Sequence, residues 1–114
     1  MSKSDDFDFY CEVALQSDAD IKKVFESERV LAYYHTKPFW EKHIVIIPKE
    51  HVWDLRHIED TSIYSELLTV TRDILRTIPQ AELDEKGAKL LTNIGKFQDT
   101  PHLHFHLAIG EEIR

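Results

Sequence analysis

Residues 101–109 alternate between histidine and apolar residues and read Pro-His-Leu-His-Phe-His-Leu-Ala-Ile. Side chains on a β-strand point alternately to opposite faces, so His102, His104 and His106 share one face. The other face is wholly apolar, as expected of a strand that packs against a helix in the core. The apolar residues are Leu103, Phe105, Leu107 and Ile109. The pattern predicts a strand over 103–109 with polar chemistry on one face and the core on the other.

Three histidines in one row call for a functional explanation, because a buried imidazole costs free energy unless it is hydrogen-bonded. One explanation is a metal site, since neutral imidazole is a common zinc ligand. The other is nucleophilic catalysis, in which one imidazole attacks and its neighbours orient it. The outer two Cα atoms of such a row lie about 13 Å apart. That separation fits a tetrahedral ion badly, but the residues alone leave both chemistries open.

The rest of the chain predicts strands followed by one long helix and then more strands. Strands are expected over 22–26, 29–35, 43–48 and 89–93, with a short helix or turn at 13–15 and a polar connection over 80–86. The helix is expected over 60–78, with Asp60 or Thr61 as its cap and Pro79 at its end. Its apolar stripe comprises Ile63, Leu67, Val70, Ile74, Leu75 and Ile78. We therefore predict an α+β fold, with an antiparallel sheet of about five strands packed against one long helix.

Length and charge restrict the class of protein. A chain of 114 residues fits a single domain, here 1–114, with residues 1–8 expected to be loose. The formal net charge of −7 argues against a protein that coats nucleic acid or binds an anionic membrane. One cysteine rules out an internal disulfide framework. No apolar run approaches a membrane span and no secretory signal is visible, so a cytoplasmic protein is expected.

The triple-histidine segment resembles the His-φ-His-φ-His-φ-φ motif of the histidine triad (HIT) superfamily, where φ is an apolar residue. The resemblance extends to the segment that ends in Pro48-Lys49-x-His51, and to Asn93, Gly95 and Gln98 ahead of the triad. It covers roughly residues 9–110. The chain thus resembles a small, single-domain HIT protein of the bacterial type.

The resemblance implies chemistry at the α-phosphate of a nucleotide. His104 would be the nucleophile that forms a nucleotidyl-histidine, and water would then release a nucleoside monophosphate. His106 would donate to a phosphate oxygen or the leaving group, and His102 would orient its neighbours. Other positions match residues that support the triad or contact the nucleotide. They are His43 for support, Asn93, Gln98, Thr100 and Lys96 for phosphate or ribose, and Val24 and Phe25 for the base.

Several positions depart from the family's pattern. The stretch Lys96-Phe-Gln-Asp99 stands where many members have Gly-Gly-Gln-Ser/Thr, and Asp99 brings a negative charge towards the anion. His35 stands where the family often has an aspartate that contacts ribose. These departures motivate an alternative function, a non-catalytic protein that binds a nucleotide or a protein partner in a degenerate pocket.

The resemblance also bears on cofactors and partners. The implied chemistry requires no cofactor, although Asp8, Cys11 and His51 would be the residues of a mixed zinc site. The expected partners are a small nucleotide substrate and a second copy of the chain. Many HIT proteins form homodimers through the long helix and the strand that follows it.

Overall fold

The computed structural model describes residues 21–114. The predicted helix or turn at 13–15, the loose start at 1–8, and both Asp8 and Cys11 lie outside the described residues. The strands are β1 (Lys23–Glu26), β2 (Val30–Tyr34), β3 (Trp40–Pro48), β4 (Ala88–Thr92) and β5 (Phe105–Glu112), and the α-helices are α1 (Ser62–Arg76) and α2 (Gln80–Lys86). Among these residues, no helix is both long and apolar enough to cross a membrane.

The five strands form one sheet in the order β1-β2-β3-β5-β4, and every neighbouring pair is antiparallel. This confirms the predicted α+β fold and its five-stranded sheet. β3 lies at the centre, where Ile44 pairs with Tyr34 of β2 and with Leu107 of β5. Within β3 the apolar run over residues 44–48 is buried on both faces of the sheet, which explains why it is not interrupted by polar residues.

The main core lies between α1 and one face of the sheet. It contains the predicted helix stripe and alternate residues of the central strands. Its buried members are Val30, Ala32, Ile44, Ile46, Ile63, Leu67, Val70, Ile74, Leu103 and Leu107. Burial of each large side chain contributes about 1.5–3 kcal/mol. On the opposite face, Val45 and Ile47 are buried with Leu31 and Tyr33.

The long helix begins and ends inside the predicted range. Asp60 accepts hydrogen bonds at Oδ1 from the Ser62 N–H (3.0 Å) and the Ser62 hydroxyl (2.7 Å), so Asp60 rather than Thr61 supplies the side-chain cap. The prediction of a polar connection over 80–86 is wrong, because these residues form α2 after Pro79. No residue of α2 is buried, so this helix has no apolar stripe that the sequence could reveal.

The last strand begins two residues later than the histidine pattern predicts. The His102 N–H donates to the Thr100 carbonyl (2.7 Å), and the Leu103 N–H donates to the Val52 carbonyl (2.6 Å). These bonds take the backbone away from the sheet ladder, so β5 starts at Phe105. His106 therefore lies on the strand, while His102 and His104 lie in the irregular segment that leads into it.

Candidate active site

Four imidazoles form a continuous row on the face of the sheet opposite α1. The ring centroids of His35 and His43 lie 4.4 Å apart, and the two rings are nearly parallel. The His43 ring lies 4.9 Å from that of His106, and the His106 ring lies 4.9 Å from that of His104. β2, β3 and β5 bring the row together, because His43 pairs with Ala108 across β3 and β5. The structure thus joins the predicted His43, His104 and His106, and it adds His35.

The His104 ring is held by a backbone carbonyl. Its Nδ1 lies 2.8 Å from the carbonyl oxygen of His102, and the side chain is buried. A carbonyl can only accept, so Nδ1 carries the hydrogen and Nε2 is the unprotonated nitrogen of the neutral ring. The His104 carbonyl in turn accepts from the Thr92 hydroxyl at 2.7 Å. His102 therefore holds the ring of His104, the predicted nucleophile, and Thr92 holds its backbone carbonyl.

His43 sets the tautomer of His106 in the same way. The Phe39 N–H donates to His43 Nδ1 (3.1 Å), so a neutral His43 carries its hydrogen on Nε2. That Nε2 lies 2.7 Å from His106 Nδ1, which must therefore accept. The hydrogen of a neutral His106 is consequently on Nε2. His106 thus provides an N–H donor beside His104, as its predicted role requires.

The third triad residue, His102, is buried and anchors the segment before β5. Its Nε2 donates to the Pro48 carbonyl at the end of β3 (2.8 Å). The bond links the end of β3 to the segment before β5 that carries His102 and His104. His102 thus positions the backbone whose carbonyl holds His104.

Burial lowers the pKa of the imidazoles in the row. It lowers the pKa of His43 to about 4 and that of His106 to about 3, and neighbouring imidazoles lower both further. Burial also lowers the pKa values of His104 and His35, against the opposing field of Asp99. Each ring is therefore neutral at pH 7, so His104 keeps a nitrogen lone pair for attack.

The loop between β4 and the triad contains the four predicted phosphate-binding residues. They differ from one another in burial and in hydrogen bonding. Gln98 is buried, and its amide donates to the Trp53 carbonyl (2.6 Å). Thr100 accepts from the His102 N–H through its backbone carbonyl. Lys96 is exposed, with its ammonium 5.3 Å from the Phe97 ring centre. Asn93 is half-buried and directly follows β4, rather than lying on it.

The two residues predicted for the base pocket lie on β1, at an edge of the sheet. Val24 packs against the main core, whereas Phe25 is exposed. The pairing of β1 with β2 is irregular at Val24, so strict alternation does not apply there, and Phe25 pairs with Ala32 of the main core. Strand pairing therefore does not separate the two side chains onto opposite faces of the sheet.

The remaining histidines lie apart from the row. The His51 ring lies 5.4 Å from that of His102, and the structure describes no group of three potential metal ligands within residues 21–114. His57 is exposed, and its Nδ1 lies 2.8 Å from Oδ1 of the buried Asp54. Hydrogen bonds from Arg56 and His57 lower the pKa of Asp54 to about 2.

Sequence reasoning missed three contributors to the site. Thr92 holds the His104 carbonyl, and the Phe39 N–H sets the tautomer of His43. His35 stacks on His43, and its Nδ1 accepts from the Lys37 N–H (2.9 Å). Only His35 gave a signal, as a histidine where the family often has an aspartate. The other two act through atoms that carry no sequence pattern.

Comparison with known proteins gives consistent matches. A family model described as HIT domain matches residues 16–112. An uncharacterized HIT-like protein of Helicobacter pylori is 35% identical over 104 residues, which cover 89% of this chain and 95% of that protein. An adenosine 5′-monophosphoramidase of Candida albicans is 28% identical over 106 residues, covering 86% of this chain and 66% of that protein. The crystal structure of a histidine triad protein from Clostridium difficile matches with a TM-score of 0.79 and 27% identity, covering 100% of this chain and 97% of that one.

Proposed function

This chain belongs to the HIT domain family, and we propose that it is a nucleotide hydrolase or nucleotidyl transferase that acts at an α-phosphate. His104 forms a nucleotidyl-histidine, and a nucleoside monophosphate is then released. The observation that carries the proposal is the hydrogen bond from His104 Nδ1 to the His102 carbonyl (2.8 Å). This bond leaves Nε2 as the nucleophilic nitrogen of a neutral ring.

The proposed reaction has two displacements at phosphorus. Nε2 of His104 bonds to the α-phosphorus, and the leaving group departs with the electron pair of its own bond. Water then attacks phosphorus and loses one proton to solvent, and the electron pair of the P–N bond returns to Nε2. Positive charge that develops on the His104 ring is stabilised through Nδ1–H by the His102 carbonyl. This chemistry needs no cofactor.

His106 is proposed to stabilise the transition state. Its Nε2–H, fixed by the bond from His43, is available to a phosphate oxygen or the leaving group beside His104. A preoriented donor costs no reorganisation when charge develops on oxygen. We propose Asn93, Lys96, Gln98 and Thr100 as contacts to phosphate or ribose, and Val24 and Phe25 as contacts to the base.

The test is detection of the intermediate. The protein is mixed with an α-phosphate-labelled nucleotide and quenched, and we expect an acid-labile label on His104 by mass spectrometry. His104→Asn should remain unlabelled and lose at least about 10³-fold in kcat. The matched control is His57→Asn, which alters an exposed histidine paired with Asp54 and should be labelled like the wild type. Equal turnover by His104→Asn and the wild type would contradict the mechanism.

A second candidate function is non-catalytic nucleotide binding. The observation that favours it is the Asp99 carboxylate, whose field partly opposes the burial that lowers the pKa values of His104 and His35. A negative charge at that position opposes the approach of an anionic phosphate. Calorimetry distinguishes the two functions: binding of nucleoside monophosphate, without turnover of phosphoramidates or dinucleoside polyphosphates, would favour the second.

We further propose that the protein is a homodimer. An apolar groove of about 240 Å³ lies between α1 and the neighbouring strands β4 and β5. Its lining residues are Leu55, Tyr64, Leu67, Leu68, Thr71, Leu90 and Phe105. Leu68 and Leu90 expose much of their side chains there. A second copy of the chain would cover this surface, in keeping with the depletion of charge at interface cores.

A further inference from the structure

The connection between β2 and β3, residues 35–39, holds two imidazoles of the row through its backbone. The Lys37 N–H donates to His35 Nδ1 (2.9 Å), and the Phe39 N–H donates to His43 Nδ1 (3.1 Å). The His35 N–H in turn donates to the His43 carbonyl (2.8 Å). A backbone N–H can only donate, so the neutral rings of His35 and His43 both carry their hydrogen on Nε2. The position of this connection therefore decides which nitrogen of each ring is protonated.

Regular strand pairing does not by itself hold Phe39 in place. β3 and β5 pair regularly from Ile46 to Lys42, but the register shifts between Lys42 and Trp40. Phe39 lies one residue before β3, and its side chain is exposed. The contacts that hold its backbone therefore lie outside the regular part of the sheet.

The two residues that follow β5 supply those contacts. The Ile113 N–H donates to the Phe39 carbonyl (2.8 Å), and Arg114 Nε donates to the Pro38 carbonyl (2.9 Å). The Arg114 guanidinium also lies over the Phe39 ring, 5.3 Å from its centre, in a cation–π arrangement. Two adjacent residues thus make three contacts with Pro38 and Phe39.

Phe39 connects these contacts to the imidazoles. Its ring lies 5.9 Å from the His35 ring and 6.0 Å from the His43 ring. The charge of Arg114 also reaches the row: burial lowers the pKa of His35, the field of Asp99 opposes this effect, and the Arg114 guanidinium adds to it. A shift of Phe39 would therefore lengthen the hydrogen bond that sets the tautomer of His43.

We propose that Ile113 and Arg114 are positioning residues for Phe39. By holding its N–H against His43, they keep the His106 hydrogen on Nε2. Without the Phe39 bond, His43 can carry its hydrogen on Nδ1, and its Nε2 then accepts a hydrogen bond from His106 Nδ1. Nε2 of His106 would then have no hydrogen for a phosphate oxygen or leaving group. The effect on catalysis rests on the proposed function, whereas the effect on the tautomers is measurable without substrate.

The experiment removes single contacts and reads the tautomers by nitrogen NMR of the full chain. Ile113→Pro lacks the N–H that donates to Phe39, and Arg114→Met lacks the Nε donor and the charge. The matched control is Ile113→Ala, which keeps the N–H and truncates the same exposed side chain. His43 should be protonated on Nε2 in the wild type and in Ile113→Ala, and should show mixed tautomers in the other two variants. Both substituted residues are exposed, so the core should stay intact.

Turnover of adenosine 5′-phosphoramidate gives the second measurement. In Ile113→Pro we expect kcat to fall about fivefold, within the effect of one hydrogen bond, and KM to change little. The same substitution should cause no further loss in a His43→Phe background, because that ring has no nitrogen for Phe39 to hold. A purely structural role for Ile113 would instead give additive losses in the double variant.

The outcomes separate this inference from the proposed function. Unchanged His43 tautomers in both Ile113→Pro and Arg114→Met would overturn the inference. An equal loss of kcat in Ile113→Ala and Ile113→Pro would also overturn it, as would additive losses in the double variant. Failure of the wild type to form nucleotidyl-His104 would contradict the proposed function, while the NMR spectra would still test the positioning of Phe39.

Discussion

The protonation of the active-site histidines is set by neighbours that can only donate or only accept. Backbone carbonyls hold His102 and His104, and a backbone amide holds His43. His106 is the exception, since its partner is another imidazole. Its donor nitrogen therefore depends on a residue that a single substitution can change.

Substitution of His43 should impair catalysis through His106. His43→Phe keeps an aromatic ring against His35 but removes the N–H that donates to His106 Nδ1, so the His106 hydrogen would divide between both nitrogens. We expect kcat to fall about tenfold, the loss of one hydrogen bond, with little change in KM. Nitrogen NMR of His106 should show Nε2 protonated in the wild type and mixed tautomers in the variant. His43→Gln, which retains an N–H donor, should lose less. An unchanged kcat in His43→Phe would contradict this role.

Acid should lower both activity and stability. The pKa of His43 is about 4 and that of His106 about 3 in the folded protein, against 6.5 for an unperturbed histidine. Below pH 6.5 the unfolded chain binds protons that the folded protein excludes, so the free energy of unfolding decreases as pH falls towards 4. Tm should be nearly constant above pH 6.5 and drop below it, less steeply in His43→Gln. Activity should fall in acid as His104 protonates. A Tm that rises between pH 6.5 and 4 would contradict this account.

At this scale the sequence predicts side chains but not their backbone partners. The alternation of residues 101–109 identifies His104 and His106, and the family resemblance adds His43. The His102 carbonyl and the Phe39 N–H are backbone groups, which residues of almost every type possess. No sequence pattern therefore identifies them as hydrogen-bond partners. In the sequence, Thr92 looks like an ordinary strand residue. Only the structure shows that its hydroxyl donates to the His104 carbonyl.

At the scale of elements, α1 supports the site through β3, by packing on the face of the sheet opposite the imidazoles. α1 packs its apolar stripe on the face of β3 that carries Ile44 and Ile46, while His43 extends from the other face. The turn between β1 and β2 is tied to the same helix, since the Ser27 hydroxyl and the Arg29 N–H both donate to Glu66. The sheet beneath the imidazoles is thus supported by a helix that packs on its opposite face.

Truncation inside that contact should destabilise the fold. Leu67 is buried in the main core, so Leu67→Ala should lower the free energy of unfolding by about 2–5 kcal/mol, measured by chemical denaturation. Thr69 lies on the exposed side of the same helix. Thr69→Ala should therefore change the free energy of unfolding by less than about 0.5 kcal/mol. Similar losses in the two variants would contradict the assigned packing face.

The elements that the sequence predicts are those with a strong apolar pattern, either a periodic stripe or a continuous run. The stripe of α1 and the apolar run of β3 meet that condition, and both are confirmed. α2 has no buried residue, so its helical state leaves no periodic trace. The histidine alternation predicts too early a start for β5, because it continues through His102 and Leu103 while their N–H groups bond to loop carbonyls.

At the scale of the whole molecule, charge and apolar surface are distributed unevenly. The net charge of −7 opposes anions at long range, whereas the site offers neutral donors at short range. Exposed Leu68 and Leu90 lie together in the groove beside α1, away from the imidazole face. Catalysis and association would therefore use opposite faces of the sheet.

A charge placed in the groove should prevent dimer formation. Leu68 exposes 57% of its surface in a single copy, so Leu68→Glu should not disturb the core, yet it would bury an unpaired carboxylate in the dimer. Sedimentation should show a dimer for the wild type and a monomer for this variant. Phe97→Glu, on the exposed loop before the triad, is the matched control and should remain dimeric. A wild-type monomer at micromolar concentration would contradict the proposal.

The main-chain carbonyls that hold His102 and His104 also bear on how this protein tolerates sequence change. Pro48 and His102 provide these acceptors through atoms common to all twenty amino acids. No point substitution can delete either acceptor, although it can shift the backbone that carries it. If His104 is the nucleophile, selection for its correct position would act on the path of the chain, and neutral drift in surrounding side chains would be tolerated wherever that path is kept. Replacing the residue-102 carbonyl by chemical synthesis is the direct way to remove it.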